Sequence, residues 1–194
     1  MKHQIRITRL LLWFPLFAFV APGYTYQVRT PRVSEEERDF KIFIDRIQEY
    51  VKLRKELKAL LPALNPTQDS ARIIEHQHAL ARKIADARRD ARQGDIFTSE
   101  VAGRFRKIID RTFRGSEGRL ARATIRSDGS FTPVRLHVND ICPEAIPLTT
   151  TPPTLLLRLP QLPQELAYRF VGRDLTLQDI EARLILDLIP NAIR

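Results

Sequence analysis

The stretch Ser70–Arg92, SARIIEHQHALARKIADARRDAR, constrains this chain more than any other. At 100° per residue, Ile73, Gln77, Leu80, Ile84, Ala87 and Ala91 fall within about 80° of arc, which is the stripe of an amphipathic helix. Ala81 and Ala85 beside that stripe would let another helix approach closely. Asp69 or Ser70 supplies an N-cap, and Gly94 stands where a helix C-cap is best served by glycine. One apolar face of this length must be buried, so the stretch predicts helical partners before and after it.

Both partners are legible. Ser34 is followed by Glu35, Glu36 and Glu37, a capping hydroxyl with an acid at the capping-box position. Phe40, Phe43, Ile44, Ile47, Tyr50 and Val51, then Leu53, Leu57, Leu60 and Leu61, predict one helix ending near Pro62. Thr98-Ser99-Glu100 begins the next, whose face is Val101, Phe105, Ile108, Ile109, Thr112 and Phe113. Gly115 and Gly118 interrupt it, and Leu120–Ile125 predicts a fourth, shorter helix. With 43% apolar and 28% charged residues, the chain can bury a core for such an assembly.

The pattern changes after Ser127. Phe131–Val138 (FTPVRLHV) alternates and predicts a strand, Asn139–Thr151 a proline-spaced loop, and Thr151–Leu159 a single helical turn opened by prolines. Tyr168–Val171, Gly172-Arg173 and Asp174–Leu177 read as strand, tight turn, strand. Leu184–Ile189 (LILDLI) predicts a third strand, with a helix through Ile180, Leu184, Ile185 and Leu188 as the alternative. Two strands alone are marginal, so the hairpin must pack on the helical part, held there by Pro160 and Pro163. The expected fold is an α-dominated α+β protein, an antiparallel helical bundle with a small C-terminal β-meander. Its expected divisions are 1–23, export segment or membrane anchor; 24–33, linker; 34–126, helical bundle; and 127–194, proline-rich connection and β-unit.

The first division follows from a basic start, Lys2, Arg6 and Arg9, before an apolar run of eleven, Leu10–Val20, and the small residues of Ala21-Pro22-Gly23. That is the layout of a secretory signal peptide. Eleven helical residues span only ~16 Å against a bilayer core of ~30 Å, so a tether through residues 10–20 would need help from its flanks. The expected address is the periplasm or cell envelope, with an uncleaved inner-membrane anchor as the alternative. Cys142 is the only cysteine, which rules out an intramolecular disulfide.

Catalytic patterns are sparse. His76 and His78 are two apart, about 200° around a helix, whereas ligands sharing a face need spacings of three or four. No Gly-x-Ser-x-Gly elbow or phosphate-binding glycine loop occurs, and a Cys142–His137 dyad would need the fold to bring the two together. Asp174, Asp179, Glu181 and Asp187 lack calcium-loop spacing and read as turn caps and solvated edges. No catalytic residue, metal ligand or cofactor is therefore assigned.

Charge is the stronger feature. Between Arg72 and Arg126 fourteen Lys/Arg face seven Asp/Glu, a net of +7 within a chain of formal charge +9. Aromatic residues for base stacking are missing from the helix surfaces, which argues against nucleic acid. The expected function is a non-catalytic envelope protein that contacts a protein partner or an anionic envelope component through arginine-rich helices. Arg82, Arg88, Arg89, Arg92, Arg104, Arg106, Lys107 and Arg111 are the candidate contacts. The bland reading is a solvated helix surface with local pairs such as Lys83–Asp86. Alternatives from other classes are a periplasmic metal-linked sensor or chaperone-like protein using His76, His78 or His137, and a hydrolase whose residues converge only in the fold.

The segments Arg72–Ala81, Gln93–Thr98 and Leu162 through Tyr168-Arg169-Phe170-Val171-Gly172-Arg173-Asp174-Leu175 to Asp187 resemble an uncharacterised family of small bacterial exported proteins. The resemblance implies export, a helical N-terminal part and a C-terminal hairpin, and no activity. The C-terminal piece is also similar to the small β-unit ending some periplasmic stress and metal-homeostasis proteins. They share a Tyr-Arg strand, a Val-Gly turn and a second strand ending in Asp, here Asp179. That likeness implies a hairpin and not a metal function.

Overall fold

Ser34 opens the first helix of the computed structural model, which describes residues 34–115, 118–120, 122, 123, 125, 135–142 and 149–193. The expected export segment and linker, 1–33, lie outside the described residues. Helix α1 (Glu35–Ala59) starts at a complete capping box: Ser34 Oγ accepts from the Glu37 amide, and the Glu37 carboxylate accepts from the Ser34 amide. Asp69 caps α2 (Ser70–Ala87) by accepting from the amides of Ala71 and Arg72, and Thr98 caps α3 (Ser99–Thr112). Residues 118–120, 122, 123 and 125 are also helical, where the sequence predicts a fourth helix. A single turn, α4 (Pro153–Leu156), follows Pro152 as expected.

The other half is an antiparallel sheet in the order β1 (Thr149–Thr150), β2 (Leu166–Val171), β3 (Asp174–Asp179), β4 (Leu184–Ile189). The chain is thus an α+β protein. The β2–β3 turn is Gly172-Arg173, closed by the Val171↔Asp174 pair, and Gly172 adopts the positive φ (57°) that such a turn needs. Leu184–Ile189 is a strand and not a helix.

Helices and sheet share one core. Phe43, Ile47 and Tyr50 of α1, Leu80 and Ile84 of α2, and Phe105 and Ile109 of α3 meet Tyr168, Phe170, Leu175 and Leu177 of the sheet. Phe43 is the aromatic node: it stacks on Phe97 at 5.5 Å and lies 5.4 Å from Phe105 and 6.4 Å from Tyr168, centroid to centroid. It thereby ties α1 to the α2–α3 connection, α3 and β2. A second, smaller cluster of Leu136, Val171, Ile185 and Leu188 covers part of the other sheet face.

Two elements differ from the sequence reading. Helix α2 stops at Ala87 and not at Arg92, because Arg88 leaves the helical path to place its side chain against β4 and the 139 turn. Gly94, at φ 96°, then turns the connection rather than capping the helix. The expected strand Phe131–Val138 is not one where it is described: residues 135–137 are irregular and 138–139 form a turn, while 131–134 lie outside the described residues. The backbone that pairs with the sheet comes later, where Asn139 and Cys142 donate to Ile185 and Arg183 and Asp140 accepts from Ile185. Alternation in FTPVRLHV signals a strand locally, but the edge of β4 is occupied by the segment that follows it.

Candidate functional site

The α1 stripe begins and ends in charge. Asp39, Phe43, Ile47, Tyr50 and Arg54 are all buried at three- and four-residue spacing. Asp39 accepts from Arg104 of α3 at 3.0 Å, and Arg104 also reaches Glu35 at 3.2 Å. At the other end, Asp179 of β3 is fully buried and accepts from the Tyr50 hydroxyl at 2.7 Å, Arg54 Nε at 2.5 Å and the Ala182 amide at 2.8 Å. Arg54 and Lys58 both donate to Glu181 at 2.6 Å. Burial raises the Tyr50 pKa far above its ordinary value, and the Asp179 charge and hydrogen bond add to it. Burial opposes the Arg54 charge, but the hydrogen bonds and charges of Asp179 and Glu181 outweigh it and raise the pKa. Glu181 likewise sits below its usual range, since Lys58 and Arg54 overcome its desolvation.

A second buried carboxylate organises the α2–α3 connection. The pairing of β3 with β4 shifts register between Leu177 and Gln178, so Leu186 is an extra residue and Asp187 pairs with core-facing Leu177. Strict alternation would have put Asp187 on the same face as Ile185. The bulge turns it inward instead, where it accepts from the amides of Gly94 (3.0 Å), Ile96 (2.8 Å) and Phe97 (2.7 Å). It also accepts from its neighbour Leu188 at 2.8 Å. These bonds hold Phe97 against Phe43.

Asp179 and Asp187 correct the expectation of solvated edges, since both are fully buried ties between sheet and helical part, while Asp179 also caps the turn after β3 through the Ala182 amide. Asp174 does cap a turn, accepting from the Asn191 amide. Nothing in their sequence neighbourhood signals this, because the partners lie some ninety to one hundred and thirty residues away.

The candidate cations divide into two groups. Arg88 is half-buried: it donates to Asn139 Oδ1 at 3.1 Å and to the Leu186 carbonyl at 3.0 Å, and lies 5.5 Å from the Tyr50 ring centroid. Desolvation lowers its pKa. Arg104 is taken by Asp39 and Glu35, and half-buried Arg106 donates to the Pro190 carbonyl. These three guanidinium groups of the candidate set are engaged by oxygens of the fold. Arg82, Arg89, Arg92, Lys107 and Arg111 are exposed, and none is ion-paired with a described residue. Arg89 bonds only the Asp86 carbonyl, and the expected Lys83–Asp86 pair is not formed.

The histidines and the thiol stay apart. His78 is exposed, His76 is half-buried beside the end of α1, and exposed His137 bonds Asp140 through its own amide and ring. Cys142 is 1% exposed, and burial raises its thiol pKa against the smaller opposing effects of Arg183 and a Gln178 hydrogen bond. Such a thiol is not an activated nucleophile. Among the described residues no group of three or more His, Cys, Asp or Glu is placed to hold a metal ion, and no helix is long and apolar enough to cross a membrane.

No protein-family model, curated protein or solved structure matches this chain. The resemblance stated from the sequence thus rests on its quoted segments alone.

Proposed function

We propose that this chain is an exported, non-catalytic protein of the cell envelope that binds a polyanion, an acidic protein partner or an anionic surface, through the exposed cations of α2, α3 and the turn after α2. One observation carries this: Arg82, Arg89, Arg92, Lys107 and Arg111 are exposed and lack a described carboxylate partner. Lys107 and Arg111, four apart, project from one side of α3, while Arg82 stands on α2 and Arg89 and Arg92 follow its end. Guanidinium groups with free forks match carboxylate and phosphate oxygens, and clustered like charge raises the local concentration of an anionic partner. The same reading takes α1, α2 and α3 as an antiparallel bundle, supported by the packing of α1 against both others. Residues 1–23 are its export signal.

Co-sedimentation of the full chain with phosphatidylglycerol and with phosphatidylcholine vesicles over a salt series tests the charge dependence. Binding is expected to favour the anionic lipid and to fall as salt rises through ~0.1 M, where the Debye length is ~10 Å. Equal, salt-insensitive binding to both lipids would end the proposal.

A further inference from the structure

The end of α1, the connection to α2 and the middle of α2 border a cleft of about 820 Å³, within the size range of small-molecule sites. Val51, Leu61, Pro62 and Leu64 form an apolar wall. Lys55, Lys58, His76 and Glu165 stand around it. A more polar annex of about 440 Å³ shares Arg54, Lys58, Glu165 and Glu181 with this cleft and adds Gln77, Gln164 and Ile180. The two cavities thus meet at Lys58, one side apolar and the other hydrogen-bonding.

The charges at the junction are not equivalent. Glu181 is satisfied by Arg54 and Lys58, so it presents little unbalanced negative potential. Lys58 spends one of its three N–H donors on Glu181 and keeps two. Lys55 is exposed and unpaired, and the His76 ring has no hydrogen bond. The Glu165 carboxylate also lines both cavities, but Arg54, Lys55 and Lys58 outnumber Glu165 and Glu181 by one. An apolar trough opening onto spare ammonium donors and two carboxamides therefore suits a ligand with an alkyl chain and an anionic, hydrogen-bonding head. It does not suit a wholly polar anion, which would leave the Leu61–Leu64 wall uncovered, nor a plain hydrocarbon, which would leave Lys55 and the annex unused.

We propose that this cleft binds a single-chain amphiphile with an anionic head, its chain along Val51, Leu61 and Leu64 and its head between Lys55, Lys58 and the annex glutamines. The site is distinct from the exposed cations of α2 and α3 and stands or falls independently of them. Titration calorimetry of the full chain with dodecanoate, kept below its micelle concentration, and with a lyso-phosphatidylglycerol of equal chain length tests it. Saturable one-to-one binding of either supports the site, and the tighter of the two identifies the source of the head group. Lys55→Ala is expected to weaken binding roughly tenfold, as for loss of a charge-assisted hydrogen bond. Leu64→Asp, at an exposed loop position where folding is not at stake, is expected to abolish it. Arg82→Gln is expected to leave it unchanged. The proposal is overturned if neither amphiphile saturates, if dodecyl maltoside binds as tightly, or if both cleft variants bind like the parent.

Discussion

Asp187 makes the clearest demand of any residue in the chain. Three amides of the α2–α3 connection converge on it, and removing the acceptor leaves buried donors unsatisfied at about 1–3 kcal/mol each. Asp187→Ala is expected to lower unfolding stability by about 3 kcal/mol or more, with Asp187→Asn in between because it keeps one oxygen. Urea unfolding checks both, and a loss below about 1 kcal/mol for the alanine variant would contradict the cradle. Asp179 poses a paired problem. Arg54→Met leaves a buried carboxylate without its cation and is expected to cost about 3–5 kcal/mol. The double variant Arg54→Met/Asp179→Asn, which removes the charge but keeps an acceptor for the Tyr50 hydroxyl or the Ala182 amide, is expected to recover part of that loss. The shifted groups also set pH dependence. Glu181 has a lowered pKa, so its contribution is present at neutral pH and is lost as pH falls through that lowered value, below the ordinary glutamate pKa of ~4.3. Tyr50 has a raised pKa, so its contribution is complete below the ordinary tyrosine value of ~10 and is lost as pH rises beyond it. Unfolding midpoints measured at pH 3, 7 and 11 are expected to show the deficit of Glu181→Gln against the parent narrowing toward acid and that of Tyr50→Phe beginning to narrow only at the alkaline end.

At the scale of elements, the helix starts and the hairpin were written locally. Ser34, Asp69 and Thr98 cap the helices from side chains within three residues of the amides they serve, and Gly172 makes its turn from its own backbone freedom. Such signals can be read without knowing the fold. The end of α2, the β4 bulge and the true partner of the β4 edge could not be read this way. Each depends on contacts between distant segments: Arg88 with Leu186, Asp187 with Gly94, Asn139 with Ile185. The same reason hides Asp187, since LILDLI is apolar at every position but that one and only the bulge turns Asp187 inward. Helix α1 shows what joins the two classes of element. Phe43→Ala removes the ring shared by Phe97, Phe105 and Tyr168 and is expected to cost about 3–5 kcal/mol. Leu60→Ala, at an exposed position at the end of the same helix, is expected to change stability by no more than ~0.5 kcal/mol. Comparable losses at both positions would mean that Phe43 is not the node.

For the whole molecule, the net positive charge of the 72–126 region was legible in composition, but its division was not. Arg88, Arg104 and Arg106 are spent on internal oxygens, and the fold leaves Arg82, Arg89, Arg92, Lys107 and Arg111 to solvent. Those five carry the account of this protein as an anion-binding envelope component. The most direct test compares the parent chain with a variant in which all five are glutamine, by co-sedimentation with phosphatidylglycerol vesicles at low salt, using the exposed α1 substitution Lys52→Gln as the control for charge loss elsewhere. The account predicts that the five-site variant loses most of the binding while Lys52→Gln and the parent are alike. Undiminished binding by the five-site variant, with its fold confirmed by circular dichroism, would contradict it.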